Sequence, residues 1–165
     1  MRLSAPVPLA QAHEIAQFDC GLSELNEWLL RRARSNQASG ASRTFVVCNG
    51  NRVLAYYALA SGAIKVAEST GRFRRNMPDP IPVAVLARLA IDLSLQGRGI
   101  GRALVRDAAM RLLSAAEILG IRGLLVHAIS EDAAIFYQKI GFKPSPSDPM
   151  ILMVGLNELQ NALDV

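Results

Sequence analysis

Residues Val83–Arg102 read VAVLARLAIDLSLQGRGIGR: an apolar run that ends in Asp92, then Gln96-Gly97-Arg98-Gly99-Ile100-Gly101 at the head of a long amphipathic segment. That order predicts a strand, a glycine turn and a helix start. Glycines at 97, 99 and 101 carry no Cβ and let the main chain come close to a ligand. The unpaired N–H groups of the following helix face that ligand with the positive end of the macrodipole. The guest that suits such a turn carries a phosphate or pyrophosphate.

Three phosphate-binding designs use a turn of this kind, and the residues separate them. A P-loop requires Gly-Lys-Ser/Thr, and none follows Gly101. A dinucleotide fingerprint requires G-x-G-x-x-G with a later strand-end acid, but Gly99-x-Gly101-x-x-Leu104 lacks the third glycine. The third pattern, Q/R-x-x-G-x-G/A after a strand, is matched in full by Gln96, Gly99 and Gly101. It resembles the pyrophosphate loop of the GNAT acetyltransferases, which bind acetyl-coenzyme A. The resemblance implies that Gln96, Gly97, Arg98, Gly99, Ile100, Gly101 and Arg102 hold the coenzyme.

A chain of 165 residues fits one domain, residues 1–165, with a core that needs neither disulfide nor metal. Hydrophobic residues make up 51% and charged residues 19%, which excludes a disordered chain, and no apolar run is long enough to span a bilayer. Met1–Pro6 lacks the apolar core of a secretory signal, and Cys20 and Cys48 have no motif spacing, so a cytoplasmic protein with structural thiols is expected. The net charge of +4 is compatible with an anionic partner. Arginines cluster at 31, 32 and 34, at 72, 74 and 75, and at 98, 102, 106 and 111. Taken singly, each cluster also fits a solvated helix surface.

Along the chain, Gly21–Leu30 places Leu22, Leu25 and Leu29 on one helical face beside Trp28. Thr44–Cys48 and Arg52–Leu59 flank Asn49-Gly50-Asn51, which predicts a hairpin. Pro78, Pro80 and Pro82 mark Gly71–Pro82 as a loop before the strand at Val83–Ile91. A helix from about Gly101 carries an apolar stripe through Leu112 to Leu119 and stops at Gly120. A buried strand at Arg122–Ile129, a helix at Glu131–Ile140, a loop at Pro144–Pro149 and a strand at Ile151–Leu156 follow. The alternation implies a mixed α/β sheet with helices on its faces.

Ala133-Ala134-Ile135-Phe136-Tyr137-Gln138-Lys139-Ile140-Gly141-Phe142 is similar to the A-x-x-F-Y-x-K-x-G-F segment of GNAT enzymes. Two ordered motifs extend the resemblance over nearly the whole chain. They imply the GNAT fold: a central mixed, largely antiparallel sheet, splayed between its two central strands, with helices on both faces. In that fold Leu89, Ala90 and Ile91 pair with pantetheine through backbone groups. Ser130 stands where Asn is common, Phe136 lies at the coenzyme, and Tyr137 lies at its sulfur. Acyl transfer from a thioester to an amine needs a neutral amine, stabilisation of the oxyanion and a proton for the thiolate. Tyr137 is the candidate catalytic residue: a phenol with pKa of about 10 is protonated at neutral pH, and a thiol near about 8.5 leaves as a thiolate able to take that proton.

The N-terminal Phe18-Asp19-Cys20-Gly21-x-x-x-Leu25-Asn26-x-Trp28-Leu29, with Arg88–Asp92 and Leu125-Val126-His127-Ala128, resembles the GNAT toxins of bacterial toxin–antitoxin pairs. The resemblance implies acetylation of the α-amino group of aminoacyl-tRNA and arrest of translation. It further implies neutralisation by a ribbon-helix-helix antitoxin, contact with operator DNA only through that antitoxin, and a homodimer. No metal is implied. An α-amino group, with pKa of about 7.7–8.0 against about 10.4 for lysine, is partly neutral without a strong base. Arg31, Arg32, Arg34, Arg72, Arg74 and Arg75 are the candidate RNA contacts. His127 in its apolar run reads as a core residue, and Asp92 and Glu131 read equally as bases or as end-of-element carboxylates. A GNAT enzyme for a small amine or a protein N-terminus, and a noncatalytic acetyl-coenzyme A-binding module, remain the alternatives.

Overall fold

A computed structural model describes residues 2–165, so Met1 of the N-terminal stretch lies outside the described residues. Seven strands and six α-helices are found among them. The strands β1 (Val7–Pro8), β2 (Arg43–Asn49), β3 (Arg52–Ile64), β4 (Ile81–Ile91), β5 (Gly123–His127), β6 (Lys143–Pro144) and β7 (Ile151–Gly155) take the hydrogen-bonded order β1-β2-β3-β4-β5-β7-β6. The pairs β1–β2, β2–β3, β5–β7 and β6–β7 are antiparallel, and β4–β5 is parallel. The chain forms two compact units, residues 1–60 with 87–107 and residues 61–86 with 108–165.

In the first unit β1 (Val7–Pro8) pairs with β2 (Arg43–Asn49), and β2 pairs with the first part of β3 (Arg52–Ile64). Asn49 faces Arg52 across a two-residue turn, Gly50-Asn51, whose first residue has φ of +63°, a position where a hairpin turn favours glycine. The register slips between Val47 and Cys48, a bulge that the even alternation of the sequence did not announce. Helix α1 (Ser23–Arg31) buries Leu25 and Leu29 as its 3.6-residue period requires, whereas Leu22 precedes the helix and is exposed. Helix α2 (Ala33–Ser39) stops at Gly40, whose φ of +83° gives a left-handed cap.

In the second unit β5 (Gly123–His127) runs parallel to β4 (Ile81–Ile91) over Ala84–Leu86 against Leu124–Val126. It is antiparallel to β7 (Ile151–Gly155), which also pairs with β6 (Lys143–Pro144). Ile64, Phe73, Ile81, Val83, Leu125 and Met153 form one core cluster. Gly123 is required at its position, because a Cβ there would stand 2.1 Å from the Val154 carbonyl and 2.7 Å from Phe73.

Several expectations are corrected. Pro82 lies inside β4, where its carbonyl accepts from the Arg122 N–H at 2.9 Å, and the ladder to the parallel neighbour begins only at Ala84. The proline-rich loop contains a short helix, α3 (Gly71–Arg74). Helix α4 (Ile100–Ala115) ends before Gly120, and Leu119 is 60% exposed, so the apolar stripe stops at Leu112. A final helix, α6 (Leu156–Leu163), buries Leu156, Leu159 and Leu163 where only a strand end was expected. His127 is exposed at the end of β5, not buried in the core.

Candidate active site

The glycine turn belongs to the first unit and is built before any ligand arrives. Asp92, just past β4, caps a single 3₁₀ turn at Leu93–Leu95: its carboxylate accepts from the Ser94 N–H at 3.0 Å, the Ser94 hydroxyl at 2.8 Å and the Asp19 N–H at 3.0 Å. Burial pushes this carboxyl up, but the hydrogen bonds from Ser94 and Asp19 outweigh it and hold the pKa below the ordinary carboxylate value. Asp92 is therefore an ionised anchor at the strand end, held by three donors.

Gln96 follows, and its amide nitrogen donates to the carbonyls of Cys20 and Ile91, each at 2.9 Å. The expected coenzyme contact of Gln96 thus begins from a side chain already tied to the main chain. Gly97 and Gly99 both have φ of +78°, which L side chains adopt only at a cost, and a Cβ on either would meet nothing within 4 Å. Gln96, Gly97, Arg98, Gly99 and Arg102 are exposed, whereas Gly101 is buried under the first turn of α4. An exposed turn of positive-φ glycines at the positive end of a 16-residue helix is a cradle open to an anion. Upstream on the same strand, Leu89 and Ile91 are half-buried and Ala90 is in the core.

Helix α5 (Glu131–Ile140) belongs to the second unit. Ser130 is its N-cap, accepting from the Ala133 N–H at 3.1 Å, with Glu131 and Asp132 in the first turn where the macrodipole favours negative charge. These contacts give Ser130 and Glu131 a local task that needs no coenzyme. Tyr137 is buried, with ring centroids 5.0 Å from half-buried Phe136 and 5.3 Å from buried Phe142. Burial raises the phenol above its ordinary pKa, so its proton is held through neutral pH.

The arginine groups differ in how far they are committed. In the first unit Arg31 pairs with Glu27 one turn away, Arg32 is exposed, and Arg34 donates through Nη2 to the carbonyls of Ala10, Gln11 and His13. Arg34 is thus a clasp between α2 and the N-terminal segment. In the second unit Arg74 and Arg75 are exposed, and Arg72 lies 3.8 Å from Glu158. Arg122, which the sequence did not single out, pins this group: its Nε donates to the Phe73 carbonyl at 2.8 Å and its Nη2 to the Arg72 carbonyl at 2.9 Å. Cys20 and Cys48 are buried free thiols, both pushed up by burial. Among the described residues no group of three or more His, Cys, Asp or Glu can hold a metal ion.

A glycine cradle at a helix start, behind a strand of a mixed sheet, suits a phosphate-bearing acyl donor, and a buried phenol that keeps its proton suits a leaving thiolate: these are the parts an acyltransferase uses. The chain belongs to the GNAT acetyltransferase family: the acetyltransferase (GNAT) domain matches residues 40–144. It is 46% identical to a tRNA-acetylating toxin of Mycobacterium tuberculosis over 151 residues, 92% of this chain and 91% of that protein. Among solved structures it is similar to AtaT complexed with acetyl-methionyl-tRNAfMet, with 30% identity and a TM-score of 0.89 over 97% of this chain and 98% of the other. It is also similar to a Tyr-to-Phe variant of the AtaT toxin bound to the C-terminus of the antitoxin AtaR and acetyl-CoA, with 28% identity and a TM-score of 0.84 over 100% of both chains.

Proposed function

We propose that this protein is an acetyl-CoA-dependent N-acetyltransferase toxin that acetylates the α-amino group of aminoacyl-tRNA. The observation that carries this reading is the 46% identity to a tRNA-acetylating toxin across 92% of the chain. The open glycine cradle and the buried tyrosine suit the same chemistry. Residues 1–165 act as one GNAT domain. Backbone groups of Gln96–Arg102 bind the coenzyme pyrophosphate, those of Leu89–Ile91 bind pantetheine and polarise the thioester carbonyl, and Ser130 and Phe136 complete the coenzyme contacts. The neutral α-amine attacks the carbonyl carbon, an N–C bond forms and the C–S bond breaks. Tyr137 gives its proton to the departing sulfur, and the proton shed by the amine returns to the phenol through solvent.

Arg31, Arg32, Arg72, Arg74 and Arg75 meet the RNA backbone in this reading, with Arg34 contributing mainly by holding α2. The enzyme acts in the cytoplasm, as charged tRNA requires, and as a homodimer. A ribbon-helix-helix antitoxin covers the basic surface and alone contacts operator DNA. Among the described residues no helix is long and apolar enough to cross a membrane.

The purified protein with radiolabelled acetyl-CoA is expected to label charged tRNA, leaving uncharged tRNA and a panel of free amines unlabelled. Labelling of a free amine or a peptide N-terminus with none on charged tRNA would overturn the reading. Reversing Arg74 and Arg75 to Glu is expected to weaken use of charged tRNA most steeply at low salt, because phosphate contacts release counterions, while acetyl-CoA affinity holds. A salt-independent effect, or none, would return these arginines to ordinary solvated surface.

A further inference from the structure

Arg88 stands beside Leu89–Ile91 in the motif, yet acetyl transfer as written gives it no task. Side chains alternate along a strand, so Arg88 shares a face of β4 with Ala90. Ala90 is buried in the cluster that contains Leu25, Leu29 and Tyr56, with Trp28 packed against it. The Arg88 guanidinium carbon lies 5.2 Å from the centroid of the Trp28 ring, and the same indole is stacked on Tyr56 at 5.9 Å with 6° between planes. The Tyr56 hydroxyl in turn donates to the Leu25 carbonyl at 2.7 Å. The cation is therefore held in place from beneath by aromatic rings that are themselves tied to α1.

Its hydrogen bonding is incomplete. Nη1 donates to the Ala87 carbonyl at 2.7 Å, whereas Nε is sealed from solvent and has no acceptor. Among the described residues no carboxylate pairs with Arg88. An indole face attracts the charge but is only a weak acceptor of N–H, and a half-buried guanidinium without an acid is costly to keep. With Nη1 bonded and Nε sealed, Nη2 is the end of the guanidinium left to meet an oxygen of an arriving anion. Arg88 is thus a preset receptor for an anion that arrives with a reactant.

The coenzyme is not that reactant. Its pyrophosphate belongs to Gln96–Arg102, beyond the C-terminal end of β4, and Leu89–Ile91 stand between Arg88 and that loop. From Arg88 to Ile91 is about 10 Å along an extended strand. In a charged tRNA the anion nearest the reacting α-amine is the phosphodiester that joins the 3′-terminal adenosine to its neighbour. We propose that Arg88, braced on Trp28, binds this phosphodiester and so fixes the aminoacyl ester for transfer. The proposal rests on the aminoacyl-tRNA reading.

Trp28 is the chain's single tryptophan, so its fluorescence reports on this site directly. The trinucleotide CpCpA is expected to change the Trp28 emission of the wild-type protein, whereas adenosine, which lacks the phosphate, is not at equal concentration. Arg88→Gln is expected to weaken CpCpA roughly 10–100-fold, the worth of a hydrogen-bonded charge. The same variant should raise KM for charged tRNA by a similar factor with kcat within about twofold, the mark of binding equal in ground and transition states. Arg88→Lys, which keeps the charge but not the planar group held over the indole, should fall between, and thermal melting verifies that both variants fold. CpCpA affinity and KM unchanged in both variants, or adenosine binding as tightly as CpCpA, would overturn the proposal. If the wild type acetylates no charged tRNA, the underlying reading falls. If it does so and the Arg88 variants match it, only the role of Arg88 falls.

Discussion

Tyr137→Phe is expected to lower turnover on charged tRNA by roughly 10²–10⁴-fold, the usual contribution of a positioned proton donor. Coenzyme binding should be nearly intact, because the ring that packs between Phe136 and Phe142 is kept and only the hydroxyl is removed. Expression of the variant should be tolerated by a host that the wild-type chain arrests. Burial raises the Tyr137 pKa, so the group stays in its active, protonated form as pH rises, and its ionisation should impose no alkaline limb below about pH 10. The same shift makes the phenol a weaker acid than in water. What it offers first is a strong O–H···S hydrogen bond to charge developing on sulfur, and complete transfer is drawn on by loss of the amine proton. Single-turnover kinetics with charged tRNA measure this step. A Phe variant with wild-type turnover would reduce the hydroxyl to a packing group.

The second large effect is expected at Gly99. Gly99→Asp places a carboxylate where the coenzyme phosphates approach and should abolish acetyl-CoA binding in a folded protein. The fold should survive, because a Cβ at this exposed position meets nothing within 4 Å and the left-handed backbone costs a non-glycine residue only about 1–2 kcal/mol. Calorimetry that finds wild-type affinity in the folded variant would place the coenzyme elsewhere. Gly99→Ala separates the contributions: it imposes the same backbone cost without the charge, and should weaken binding far less.

What the sequence revealed was local. The hairpin turns at Gly50, the glycine turn precedes α4, and α5 spans Glu131–Ile140, all as the sequence indicated. The glycine turn was legible because glycine spacing encodes backbone geometry directly. Side-chain commitments over long separations were not legible. Nothing local to Gln96 indicates that its amide spends both hydrogen bonds on carbonyls at Cys20 and Ile91, or that Arg34 clasps Ala10, Gln11 and His13. Arg122 gave no signal beyond being a basic residue before a strand. The period of α4 continued into Ile118 and Leu119, but the helix had ended, and a hydrophobic pattern alone does not mark where its supporting core stops. In α6 the leucine spacing at 156, 159 and 163 was present in the sequence and was obscured by the strand that runs into it.

The ties around Asp92 and Gln96 bear on the proposed coenzyme site. The segment from Asp19 to Cys20 is bound to the strand end through the Asp92 carboxylate, the Leu93 N–H on the Asp19 carbonyl at 2.8 Å, and the Gln96 amide. A phosphate loop fixed from behind in this way has already lost its conformational freedom during folding. Ordering a mobile loop would otherwise subtract from affinity at every binding event. If this loop holds the donor as proposed, that entropy is lost once, as the chain folds, and each molecule of donor enters a receptor already shaped for it.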